Sequence, residues 1–261
     1  MSVIALRLLG VGLLGPGLPS WAEAEPVLAG EVPYQAAATV VPAPQRLPAA
    51  ERRRAGVAVK VALAAAEGAC ADAGLDPATL PTVFTSSSGD GANCHALCET
   101  LATPQRLVSP TRFTNSVHNA AAGYWHIATA NQQGSTSLCA FDASFVSGLL
   151  EAATQVQALR QPLLLVASDT PYPQPLHGVR PLPDSFGVGL VLAPDDGTGV
   201  RLALELLPAS RPTACTEPAL EALRRAIPAA QALPLLAALA AARPAVVLAV
   251  QPGLALRLSR L

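Results

Sequence analysis

The sequence predicts a layered α/β domain on a mostly parallel central sheet, and three observations carry that expectation. Strand-like and helical segments alternate along the chain, as in folds whose helices cross over a sheet. Leu163-Leu164-Leu165-Val166 is an unbroken apolar run of the kind found in strands covered on both faces. The 261 residues are 51% hydrophobic and only 13% charged, which supplies a sizeable core and excludes a disordered chain.

Taken in order, Val3-Ile4-Ala5-Leu6 opens as a strand, and Gly10, Gly12, Gly15, Pro16 and Gly17 then read as a turn-rich loop. After a proline-rich stretch to Pro48, the segment from Ala49 to Ala73 repeats Val57, Val61, Ala62 and Ala65 at helical spacing, with Gly74 as its C-cap. Pro81 to Thr85 reads as a short buried strand. It opens into the polar loop Ser86 to Gly91, at the strand end where α/β proteins place their chemistry. Helices follow over about Ala92 to Ala102 and Ala120 to Ala130, the second beginning with small residues, Ala120 to Gly123, that imply close backbone packing. Ser137 to Phe141 is a strand candidate, Phe145 to Leu159 a helix with one apolar face, and Pro162 to Ala167 the doubly covered strand.

Beyond a proline-rich loop from Pro171 to Pro183, Phe186 to Leu192 and Val200 to Leu206 flank the turn Asp195-Asp196-Gly197 and read as a hairpin. An Ala/Leu helix around Ala219 to Ala242, interrupted by Pro228 and Pro234, and two short strands, Ala245 to Val250 and Leu254 to Leu258, complete one domain over 1–261.

Charge narrows the partners. Seventeen Lys+Arg against eighteen Asp+Glu leave a net charge of -1, and the one dense basic run, Arg52-Arg53-Arg54, has no interleaved aromatics for base stacking, so nucleic acid is not expected. So few charges leave either much small alanine surface or a face covered by a partner. Five cysteines, odd in number and irregularly spaced, form no disulfide framework and point to a reducing, cytoplasmic setting. Cys94-His95 with Cys98 offers soft ligands, but His118, His126 and His177 form no second cluster, so neither metal nor cofactor is expected.

Met1 to Leu18 is mostly apolar and precedes Ala22-Glu23-Ala24, which mimics a signal-peptidase site. An exported protein with an unrelated binding role is therefore one rival reading, although cleavage after Ala24 would remove the first strand. Pro234, Arg243 and Pro252 break the best C-terminal apolar stretch, so no membrane span is expected.

Several segments in series resemble the N-terminal half of β-ketoacyl synthases, the condensing enzymes of the thiolase fold. They are Gly10-Val11-Gly12 with Pro16-Gly17, Ala71 to Asp76, Phe84 to Gly89, Ser109-Pro110 through Asn119 to Gly123, the helix after Phe141-Asp142-Ala143-Ser144, Val166 to Asp169, and Gly187 to Leu192. They keep family order across about Met1 to Leu206, and residues 207–261 are expected to complete the domain. The resemblance implies a thiolase-like layered fold with helices on both faces of the sheet.

Departures from the family decide the expected function. A working ketosynthase holds a nucleophilic cysteine at the strand-to-helix turn, where the helix macrodipole stabilises the thiolate. Here the alignment places Asp142 or Ala143 at that position, and neither can form an acyl thioester. Cys139 falls three or four residues earlier, inside the strand, and is expected to be a buried core thiol. The family's histidine pair belongs to a C-terminal half that has no counterpart here, and only His177 follows the turn.

This pattern resembles the short ketosynthase-like chain-length factors of aryl polyene and related type II polyketide or fatty-acid systems. The resemblance implies an inactive subunit that pairs with an active ketosynthase and shapes the tunnel receiving the acyl chain from an acyl carrier protein. Its strongest segment is Ser116 to Gly123, which makes Phe113, Ser116, Val117, His118 and Asn119 tunnel or interface candidates, with Ser144 and Phe145 beside the altered turn. His118 is expected to be a satisfied core or interface histidine, and Asp142 to cap the following helix. The other rival is a divergent acyl-transfer enzyme using Ser144 or Asp142, for which no Ser-His-Asp spacing and no Gly-x-Ser-x-Gly elbow is legible.

Overall fold

A computed structural model of the protein describes residues 3–208 and 210–261, so Met1, Ser2 and the expectations touching them lie outside the described residues. In chain order the strands are β1 (Ile4–Leu14), β2 (Thr82–Thr85), β3 (Ser135–Leu138), β4 (Leu163–Asp169), β5 (Phe186–Pro194), β6 (Val200–Pro208), β7 (Ala245–Gln251) and β8 (Leu254–Arg260). Between β1 and β2 lie α1 (Trp21–Ala29), α2 (Ala49–Arg54) and α3 (Val57–Ala73). Between β2 and β3 lie α4 (Gly91–Leu101), α5 (Pro110–Thr114) and α6 (Ala120–Thr129). Helix α7 (Ser144–Leu159) joins β3 to β4, α8 (Leu176–Val179) precedes β5, and α9 (Pro218–Ala226) and α10 (Leu233–Ala240) precede β7.

All eight strands form one sheet in the order β3-β2-β4-β5-β1-β6-β8-β7. Apolar residues alternate between its faces. On β4, Leu163, Leu165 and Ala167 join the core under α7, α1 and α10, while Leu164 and Val166 join the core under α3 and α6. This is the layered arrangement, helices on both faces, that the family resemblance implies.

The expectation of a mostly parallel sheet needs correction. Of the seven strand pairings, only β2 with β3 and β2 with β4 are parallel; the other five are antiparallel. The parallel pairs are those whose strands are linked through helices crossing over the sheet, and the remaining strands return alongside their neighbours.

Two further expectations fail at β1. Gly10 and Gly12 lie inside the strand Ile4–Leu14, and the expected turn begins at Gly15 and closes at Leu18. A Cβ at Gly12 would lie 2.0 Å from the Ala65 carbonyl oxygen, and one at Gly10 would lie 2.5 Å from that of Ala69. Bare backbone there lets the alanine-rich face of α3 lie directly on the sheet, with Gly189 of β5 doing the same beside it. Nor do β5 and β6 form a hairpin, since β1 inserts between them and pairs with both. The turn residue Asp196 instead accepts a hydrogen bond from the buried Arg7 of β1 at 3.0 Å.

Candidate functional site

Because β2, β3 and β4 run parallel, their C-terminal ends share one edge of the sheet, and the loops following them converge. The anchor is Asp169, the last residue of β4 and almost fully buried. Its Oδ1 accepts from the Ser87 amide at 2.8 Å, the Ser87 hydroxyl at 2.7 Å and the Ser86 hydroxyl at 3.2 Å, and its Oδ2 accepts from the Ala229 amide at 2.8 Å. Burial pushes this carboxyl above its ordinary range, against the pull of those donors. So Asp169 ties the loop after β2 to the 3-10 turn Pro228–Ala232 on the far side of the sheet end.

From Asp169 the network runs outward to the altered turn. The Ser87 hydroxyl lies 3.3 Å from the Tyr172 hydroxyl, which accepts from Arg180 Nη1 at 3.2 Å. The Arg180 guanidinium also pairs with the Asp142 carboxylate and sits 3.7 Å above the Phe141 ring centroid. Phe141 has φ +52°, a left-handed backbone that is costly for a large side chain, about 1–3 kcal/mol, and it is 59% exposed. The kinked residue between β3 and α7 is therefore Phe141, with Asp142 and Ala143 completing the 3-10 turn.

Ser144 holds the turn from inside. Its hydroxyl donates to the Phe141 carbonyl at 2.7 Å and accepts from the Ala140 amide at 3.1 Å, and the residue is 1% exposed. The Thr85 hydroxyl donates to its carbonyl at 2.9 Å. Phe145 is fully buried in the core.

Several expectations about these residues change. Asp142 does not cap α7, whose N-terminus has no side-chain cap; it is drawn outward by Arg180. Cys139 is not a buried core thiol. It lies just beyond the end of β3, exposed, and donates to the Ser87 carbonyl at 3.0 Å. Among the described residues no histidine hydrogen-bonds it. His118 is exposed rather than in the core, its Nε2 3.3 Å from the Ser86 carbonyl.

Phe113 on α5 and Ser116, Val117, His118 and Asn119 between α5 and α6 are all exposed. Val117 and His118 border a cavity of about 30 Å³ with Ala58, Val59, Phe84 and Ala121, which holds about one water and no acyl chain as it stands. A wider groove runs along the outer edge of β3, where His118, Asn119, Gly123 and His126 of the α6 side face Ser135 and Ser137. The His126 Nε2 there is shielded from solvent and has no hydrogen-bond partner among the described residues. Cys94 and Cys98 stand exposed on α4, and among the described residues no group of three or more His, Cys, Asp or Glu is placed to hold a metal. Among them, too, no helix is long and apolar enough to cross a membrane.

Sequence reading missed Phe141, Tyr172 and Arg180. Nothing in a phenylalanine signals left-handed backbone, and the other two sit in a proline-rich loop that carries no periodicity.

Comparison with known proteins bears on the whole arrangement. The family model for the β-ketoacyl synthase N-terminal domain matches residues 21–251. No curated protein matches the chain by sequence. Among solved structures, a ketosynthase in complex with its chain length factor from Xenorhabdus doucetiae aligns with TM-score 0.73 and 22% identity over 98% of this chain and 99% of that chain. The ishigamide ketosynthase/chain length factor aligns with TM-score 0.70 and 16% identity over 98% and 99%. A β-ketoacyl synthase from Burkholderia phymatum aligns with TM-score 0.60 and 16% identity over 92% of this chain and 71% of that one. At these identities the structures attest the thiolase-like fold, while the family model spans every residue of the network from Ser86 to Ala229: this chain belongs to the β-ketoacyl synthase N-terminal domain family.

Proposed function

We propose that this chain is a non-catalytic, chain-length-factor-like subunit that pairs in the cytoplasm with an active β-ketoacyl synthase. In that pair it helps shape the tunnel for the acyl chain, borne by an acyl carrier protein, in polyketide or fatty-acid synthesis of the aryl polyene type. The observation that carries the reading is the turn between β3 and α7. Where a condensing enzyme needs a thiolate, Phe141, Asp142 and Ala143 offer none, and Arg180 covers the first two. Cys139, the nearest thiol in sequence, donates to the Ser87 carbonyl, and among the described residues no side-chain base hydrogen-bonds it.

The surface supports pairing. Strand β3 ends the sheet with an open edge, a site where another chain can add. His118, Asn119, Gly123 and His126 border the groove along it, and Phe113, Val117 and Ile127 are exposed on α5, α6 and the segment between them. Two of the similar structures are of ketosynthases with chain length factors. In this reading Phe113, Val117 and His118 meet the partner and limit tunnel depth, with Ser116 and Asn119 at the same seam and Ser144 and Phe145 supporting the turn from within. The rival acyl-transfer enzyme is disfavoured by geometry: the Ser144 hydroxyl is buried and doubly bonded, and Asp142 is held by Arg180.

Co-expression with the ketosynthase of the same gene neighbourhood tests this. The reading expects a stable heterodimer and a product whose length shifts when Phe113 or Val117 is replaced by alanine. A ketosynthase that is soluble, monodisperse and unchanged in product length without this chain contradicts it.

A further inference from the structure

Two thiols on α4 have no part in the network around Asp169. Cys94 and Cys98 stand four residues apart on this helix, both exposed, and the residue that α4 buries is Asn93. Packing therefore accounts for neither cysteine. Residues four apart share one helical face, and these two side chains act on each other. Partial burial first, then the Cys98 thiol and the Asp90 carboxylate, push the Cys94 thiol above its ordinary range.

Spacing decides what such a pair can do. Across one turn of helix the Cβ atoms lie about 5–6 Å apart. A disulfide needs about 3.5–4.5 Å between Cβ atoms, so Cys94 and Cys98 cannot join each other while α4 is intact. A soft metal ion between the sulfurs spans the wider gap, since each metal–sulfur bond adds about 2.3 Å. The surroundings limit that ion to two ligands. The His95 Nε2 is engaged by Glu99 at 3.2 Å, and Asp90 accepts from the Asn93 amide at 2.9 Å as the N-cap of the helix. Among the described residues no third His, Cys, Asp or Glu is placed to complete a larger set. Structural zinc takes four ligands and does not fit, whereas a monovalent soft cation is satisfied by two thiolates.

We propose that Cys94 and Cys98 form a two-coordinate clip for a cuprous ion on the exposed face of α4. On binding, two S–H bonds are replaced by two S–Cu bonds and two protons pass to solvent, with no change of oxidation state. Because both thiols must shed their protons, affinity rises with pH. The site is independent of the function proposed above.

The test titrates the whole chain, reduced and free of oxygen, with cuprous ion in competition with a chromogenic cuprous chelator, and reads the ligands by X-ray absorption. The expected result is one ion per chain, two sulfur neighbours and no nitrogen, with affinity rising at least tenfold from pH 6 to pH 7. Cys94→Ala and Cys98→Ala, which favour helix, are expected to keep the melting temperature of the metal-free chain and each to weaken binding at least a hundredfold. Cys139→Ser, which removes the third exposed thiol, and His95→Ala are expected to change affinity less than twofold. No copper binding, binding that either alanine variant leaves intact, or a nitrogen neighbour lost in His95→Ala overturns the proposal. So does copper that sediments with two chains instead of one, or a Cys94–Cys98 disulfide that forms with the helix content unchanged.

Discussion

Arg180 lies flat on Phe141, 3.7 Å above its ring, while the same guanidinium reaches Asp142 and the Tyr172 hydroxyl. One side chain from a proline-rich loop thus closes the turn between β3 and α7. Asp142 is 68% exposed on its side chain, so solvent screens the ion pair and the stacking supplies much of the benefit. Arg180→Ala is expected to lower stability by about 1–2 kcal/mol in urea unfolding, and Arg180→Lys to recover less than half, because an ammonium cannot lie flat on the ring.

The glycines separate packing from pairing. Gly12→Ala drives a methyl group into the α3 backbone and is expected to cost about 3 kcal/mol or more, or to leave the protein insoluble. A Cβ at Gly123 on α6 meets nothing within 4 Å, so Gly123→Ala is expected to stabilise by about 0.5–1 kcal/mol. Gly123→Trp, on the groove beside β3, is expected to leave the melting temperature of the isolated chain nearly unchanged and to abolish pairing with the ketosynthase in size-exclusion chromatography.

Glu221 supplies an acid-sensitive anchor in the C-terminal segment. It accepts from Arg224, Arg225 and the Cys215 amide, and Arg224 above all holds its carboxyl down to about 2, where such a group ordinarily titrates near 4.5. Because the folded pKa is depressed, the stabilisation is full above pH 4.5 and is lost as pH falls toward 2. Glu221→Gln should lower stability at pH 7 and flatten the stability profile between pH 5 and 2, read by thermal unfolding across that range.

Legibility in the sequence followed locality. Helix α7, the apolar β4 and the C-terminal end of α3 with its Gly74 cap are readable within a few residues, whereas the single helix expected from Ala49 breaks at Ala55-Gly56 into α2 and α3. What was misread depends on contacts distant in sequence. Gly10 and Gly12 look like turn residues until α3 supplies the reason for bare backbone, and β5 and β6 look like a hairpin until β1, nearly two hundred residues away, slots between them. That the turn between β3 and α7 carries no thiol was legible in the residue types Phe141, Asp142 and Ala143. The Phe141 kink and the Arg180 cover were not, because a positive φ at phenylalanine and a stacked arginine leave no local signature.

The most direct test is intact-mass analysis of the co-purified pair after incubation with an acyl-carrier thioester, repeated with Ser144→Ala and Cys139→Ala variants of this chain. A covalent acyl group on the ketosynthase subunit alone, with neither variant changing its yield, is the predicted result. An acyl group on this chain that disappears in either variant would contradict the account.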